Sequence, residues 1–122
     1  MSADTPHKQV VKRYLEGFRT GSPDQILSCL TDDIVWTVYG HFRLSGKEAY
    51  RAAIGGEGGL PTLDVVRLVE EGDTVMAEIH GVAPQPDGTR QRMVMGEVFL
   101  FRGDLICERR AFLVPLQHDD IR

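Results

Sequence analysis

Seven side chains in this sequence combine chemistry with spacings that can bring them together: Tyr14, Trp36, Glu78, His80, Glu97, Glu108 and Arg110. Side chains on a strand alternate between its two faces. Glu78 therefore goes with His80, Glu97 with Met95 and Phe99, and Glu108 with Arg110 and Phe112. Trp36 shares a face with Val38, and Tyr14 stands in an apolar helical stripe. In one register all of them point into a shared hollow with Met, Phe and Leu walls. Such a hollow suits a small, largely apolar organic ligand. Trp36, Val38, Glu78, Met95, Phe99, Glu108 and Phe112 would then hold it, and His80, Glu97, Tyr14 and Arg110 would act on it. The chemistry expected is acid–base chemistry without a cofactor, such as a double-bond shift, a cyclisation or a hydration. Apolar surroundings disfavour a charged carboxyl, so Glu97 beside Tyr14 becomes a hydrogen-bond donor for a carbonyl or enolate. Imidazole exchanges protons near neutral pH, which makes His80 the proton carrier. Arg110 would stabilise negative charge. The same residues also have a structural reading. Glu78, Glu97 or Glu108 forms an ion pair with Arg110, Tyr14 belongs to the core, and the domain binds or assembles without catalysis.

The elements that must position these residues can be read from cap signals and periodicity. Thr5-Pro6 opens a helix whose apolar stripe is Val11, Tyr14, Leu15 and Phe18, and Gly21 stops it. Ser22-Pro23-Asp24-Gln25 has capping-box spacing and opens a second, short helix with Ile26, Leu27 and Leu30 on its buried face. Asp32-Asp33 ends that helix and opens a strand from Ile34 to Tyr39. Ser45-Gly46-Lys47-Glu48 is a further capping-box match, before a short helix to about Ile54. Gly55-Gly56-Glu57-Gly58-Gly59 then reads as a flexible loop or lid. Four strands follow, Leu63–Val69, Thr74–Val82, Arg90–Phe101 and Leu105–Pro115, and the polar tail from Gln117 to Arg122 is expected to fray. Helices first and a strand meander afterwards predict an α+β fold, with three N-terminal helices packed on one face of an antiparallel sheet. The long strand is apolar on both sides, with Met93, Met95, Phe99 and Phe101 on one and Val94, Val98 and Leu100 on the other. An open sheet face normally alternates to polar, so a homodimer is expected to cover it.

The chain has 122 residues, and a single domain spanning 1–122 is expected. Apolar residues at 42% and charged residues at 26% are ordinary globular composition and argue against disorder. A net charge of −4 argues against nucleic acid as a partner. No apolar run approaches a bilayer span, so no membrane partner is expected. Cys29 and Cys107 do not make a disulfide framework and suit a reducing cytoplasm. His7, His41, His80 and His118 have no metal-ligand spacing. The glycine-rich stretch lacks the strand-to-helix setting of a phosphate loop, and Arg109-Arg110 is too short for a basic patch.

Three stretches, Val11-Lys12-Arg13-Tyr14-Leu15-Glu16-Gly17, Leu30-Thr31-Asp32-Asp33-Ile34-Val35-Trp36 and Ser45-Gly46-Lys47-Glu48-Ala49, together with the hairpin Phe99 to Ile106, resemble the NTF2-like superfamily in its SnoaL-like and ketosteroid-isomerase-like branch. The resemblance implies a cone-shaped, curved sheet wrapped on helices, with a pocket at the wide end and often a dimer. It also implies a role for Tyr14 as the oxyanion tyrosine and for Glu97 as the acid, while the position of the carboxylate base falls at Val38. The chain is similar as well to the limonene-epoxide-hydrolase branch. There the acid–arginine–acid positions fall at Glu78, His80 and Arg110, and the tyrosine position at Trp36. The superfamily contains isomerases, hydrolases, cyclases and non-catalytic binding modules, so the resemblance leaves both the enzyme and the binding-module readings open.

Overall fold

A computed structural model describes residues 4–55 and 61–117. The glycine-rich stretch beyond Gly55 and the tail residues 118–122 lie outside the described residues, as does the expected lid they suggested. Three helices, α1 (Pro6–Thr20), α2 (Pro23–Leu27) and α3 (Lys47–Ile54), pack on one face of a six-stranded curved sheet. Its strands are β1 (Leu30–Val38), β2 (Phe42–Ser45), β3 (Thr62–Glu71), β4 (Thr74–Pro84), β5 (Arg90–Arg102) and β6 (Leu105–Pro115). The order across the sheet is β2-β1-β6-β5-β4-β3, with β1 parallel to β6 and every other pair antiparallel. The α+β architecture expected from the sequence is the one observed.

The first two cap signals act as their chemistry requires. Thr5 Oγ1 accepts from the Lys8 N–H at 3.2 Å, and Ser22 Oγ accepts from the Gln25 N–H at 3.3 Å. Gly21 takes a left-handed conformation (φ 69°), so the Ser22 N–H can turn back onto the Gly17 carbonyl at 2.8 Å. The tight α1–α2 turn also depends on Gly17, where a Cβ would stand 2.7 Å from Ile26 Cγ1. The third signal fails. Ser45 ends β2, Gly46 is the N-cap of α3, and no side chain caps that helix. Other boundaries shift by a residue or two, and α2 ends at Leu27, so Leu30 belongs to β1 and not to the buried face of that helix. β1 begins at Leu30 rather than Ile34, because Leu30 already pairs with Ile106. The four-residue β2 is too short to show an alternation in the sequence.

The inner face of the sheet takes Val75, Ala77 and Ile79 from β4, the odd-numbered residues 93–101 from β5, and Ile34, Trp36 and Val38 from β1. α1 adds Val11, Tyr14, Leu15 and Phe18, and α3 adds Tyr50 and Ile54. The outer face carries Val94, Val98 and Leu100 half-buried, with Met76, Phe112 and Val114 exposed. Tyr39 stacks on Phe112 there at 5.3 Å. The two apolar sides of β5 therefore lie where the alternation placed them. Among the described residues no helix is long and apolar enough to cross a membrane.

Candidate functional site

One residue of β6 sets the site. Leu100 pairs with Glu108 but Phe101 pairs with Ile106, so Cys107 is an extra, bulged residue. A bulge reverses the alternation that follows it. Ile106 faces inward, and beyond the bulge Arg109, Ala111 and Leu113 face inward as well. Arg109 is 2% exposed and sits opposite Phe99 on β5 and beside Trp36 on β1. Its diagonal neighbour on β5 is Glu97, which is fully buried. Arg109 donates to both Glu97 oxygens, from Nε at 2.6 Å and from Nη2 at 2.7 Å. Its Nη1 donates to the Tyr14 hydroxyl at 2.5 Å and to the Tyr50 hydroxyl at 3.3 Å. The two phenols are hydrogen-bonded to each other. The guanidinium also lies 4.6 Å from the Trp36 ring centroid, and Trp36 stacks on Tyr50.

The electrostatics of this cluster follow from burial and pairing. Burial works against the charge of Arg109, but Glu97 and the two phenols outweigh it and hold the guanidinium well above its ordinary value. Burial raises Tyr14 well above the ordinary phenol value and also raises Tyr50, in each case against the opposing pull of Arg109. The phenols therefore remain protonated donors. Both Glu97 oxygens accept from Arg109, so Glu97 is not placed to donate to a ligand, contrary to the expectation from its apolar strand.

Above the cluster is a cavity of about 350 Å³. Arg109 and Trp36 line it together with apolar side chains that include Phe18, Val38, Leu63, Met95 and Leu113, and the exposed His41 and Phe42 also border it. Of the residues singled out from the sequence, Trp36, Val38 and Met95 line this cavity. Tyr14, Glu97 and Phe99 are on the same inner side but fully buried among the packed residues. The others are not brought together with them. Glu78 and His80 are exposed on the outer face, since Val75, Ala77 and Ile79 claim the inner face of β4. Glu108, Arg110 and Phe112 share one face as the alternation requires, but that face is the outer one: Phe112 is exposed, and beyond the Cys107 bulge the inner side goes to Arg109, Ala111 and Leu113. Arg110 Nε donates to Glu108 at 2.8 Å, and that hydrogen bond lowers the Glu108 carboxyl below its ordinary value. Sequence reasoning missed Arg109, Tyr50, Leu63, Met93 and Leu113. Tyr50 and Ile54 at i and i+4 were the available signal for the inner stripe of α3. Among the described residues no group of three or more His, Cys, Asp or Glu side chains is placed to hold a metal.

The outward position of Glu78 and His80 carries a direct expectation. Glu78→Ala and His80→Ala should each change folding stability by no more than about 0.5 kcal/mol and leave ligand binding in the cavity unchanged. Denaturant melts and ligand titrations of both variants check this.

The sequence profile described as the SnoaL-like domain matches residues 11–109. No curated protein matches the chain. Similar solved structures include an LEH-like epoxide hydrolase from Mycobacterium tuberculosis, 19% identical over 88% of this chain and 82% of that one, with a TM-score of 0.79. A second is a Mycobacterium tuberculosis protein in complex with estradiol-17beta-hemisuccinate, 14% identical over 88% and 93%, with a TM-score of 0.80. A third is a ketosteroid isomerase candidate from Kribbella flavida, 14% identical over 96% and 83%, with a TM-score of 0.79. At these identities the likeness is one of fold.

Proposed function

The chain belongs to the SnoaL-like domain family, and from that premise we propose that it binds a small, largely apolar molecule in the cavity above Arg109. The observation that carries this reading is the cavity wall: apolar side chains over most of its area, the His41 imidazole, and one guanidinium that is itself held by Glu97, Tyr14 and Tyr50. That composition is usual for a small-molecule site. The similar protein seen with estradiol-17beta-hemisuccinate supports it. Isomerase, cyclase or hydrolase chemistry is the less favoured form of the same reading, because the expected proton carrier, His80, is on the far side of the sheet. Glu97 and Tyr14 act in this proposal as positioning residues for Arg109.

Leu113→Trp should fill the cavity from β6. The expected outcome is loss of ligand-induced thermal stabilisation, by at least about tenfold in apparent affinity, with near-normal unfolding of the free protein. A ligand raises the melting temperature only if it binds the native state, so unchanged stabilisation in this variant would place binding elsewhere.

We further propose that the outer sheet face pairs with a second copy of the chain. Met76, Val98, Phe112 and Val114 form its apolar part, and closed two-fold pairs are the commonest soluble oligomers. Sedimentation equilibrium should give a dimer that Phe112→Asp converts to monomer; a wild-type monomer at tens of micromolar refutes the pairing. Two free thiols, at Cys29 and Cys107, suit a cytoplasmic setting.

A further inference from the structure

We infer that His7 is a proton-operated clasp between the start of α1 and the sheet, closed by the imidazolium and opened when the ring loses a proton. His7 lies in the first turn of α1, at the ends of β3 and β5 opposite to the cavity residues Leu63 and Met93. Its two ring nitrogens meet acceptors from two different parts of the sheet. Nδ1 is 3.1 Å from Glu70 Oε2 on β3, and Nε2 is 3.0 Å from the Gly103 carbonyl in the β5–β6 turn. A neutral imidazole has one donor nitrogen and one acceptor nitrogen, whereas the imidazolium donates from both. Between a carboxylate and a carbonyl, the neutral ring leaves one of its lone pairs facing another at hydrogen-bond distance. Only the imidazolium satisfies both contacts.

The surroundings favour the same form. The ring stacks on Phe101 with centroids 4.1 Å apart, an arrangement that attracts a cation. The Thr5 hydroxyl, which caps α1, donates to the other oxygen of Glu70 and so keeps that carboxylate in place as an acceptor. The His7 and Glu70 side chains are 18% and 19% exposed, so the pair is partly withdrawn from water. The other charged groups on the adjoining segments are Lys8 on α1, Asp73 in the β3–β4 turn, Arg102 on β5 and Asp104 in the β5–β6 turn. Arg102 is turned away to Asp33 at 3.0 Å, and Glu70 is the one that bonds to the ring. Loss of the proton gives up the ion pair and one of the two ring hydrogen bonds together. The stability that the clasp adds is complete while the ring holds both protons, and it drains as rising pH removes one.

The test compares the intact wild-type chain with His7→Gln, whose side chain cannot carry the charge. Near about pH 6, where imidazole is readily protonated, nitrogen-15 spectra of the histidine rings should show two hydrogen-bonded ring N–H signals that are absent from His7→Gln. Denaturant melts supply the second readout, and the ratio between the two chains cancels the titration of every other group. The unfolding constant of wild type should be about fivefold smaller than that of His7→Gln at that pH, the upper range for a partly exposed pair. The ratio should fall to near one by about pH 9, where the ring is neutral. Fewer than two protected ring N–H signals from His7, or a stability ratio that does not change with pH, overturns the clasp.

Discussion

Glu97→Gln is expected to cost about 3–5 kcal/mol of folding stability, the range for breaking a buried ion pair on one side only. Glutamine keeps the volume and one acceptor oxygen but removes the charge that balances Arg109. Arg109 is 2% exposed and its guanidinium is walled by Trp36, Phe18 and Tyr14, so little of the charge can be hydrated once its carboxylate is gone. Two bonds at 2.6 and 2.7 Å are lost or weakened together. The double variant Glu97→Gln/Arg109→Met should recover part of the loss, because it removes the stranded charge as well. Chemical denaturation of the two single variants and the double variant closes the cycle. Additive losses would mean that the two residues do not depend on each other.

Alkaline pH should destabilise the fold steeply. Tyr14 and Tyr50 are both fully buried, and burial raises both phenols. A group whose pKa is higher in the folded chain adds stability that is complete below its unfolded value. That stability drains as the pH rises toward the folded value. Unfolded phenols ionise near pH 10, so above about pH 10 each of the two removes about 1.4 kcal/mol per pH unit. Together they remove roughly 2.7 kcal/mol per unit. Absorbance at the phenolate band should therefore show the Tyr14 and Tyr50 signal appearing only with unfolding, as followed by circular dichroism. Tyr14→Phe should reduce the slope by about half. Phenolate formation by both residues in a still-folded chain would contradict their burial.

The fold was legible where local chemistry speaks for itself. Thr5, Ser22 and Gly21 mark helix ends through hydrogen bonds to their immediate neighbours. The four long strands alternate over enough residues to declare themselves. β2 could not do so in four residues, and Ser45-Gly46 imitates a cap that the strand pairing of Ser45 with Val35 takes over. At the site, Glu97 stood out as an acid in an apolar strand and is indeed fully buried. Its partner was misread. Taking Phe112 as an inward residue sends Glu108 and Arg110 inward with it, whereas the bulge at Cys107 gives that place to Arg109 and leaves Phe112 exposed. A bulge depends on pairing with another strand and leaves no local mark. β4 is a different case. Val75, Ala77 and Ile79 already formed the more apolar of its two faces, so Glu78 and His80 belonged outside on hydrophobicity alone.

The central claim is that Arg109, rather than Arg110, carries the buried guanidinium at the cavity. Arginine side-chain N–H spectra of isotopically labelled protein test it most directly. The account predicts one slowly exchanging, shifted Nε–H resonance that disappears in Arg109→Lys and persists in Arg110→Lys. A protected resonance that vanishes with Arg110 instead would restore the uninterrupted alternation of β6 and remove the site described above.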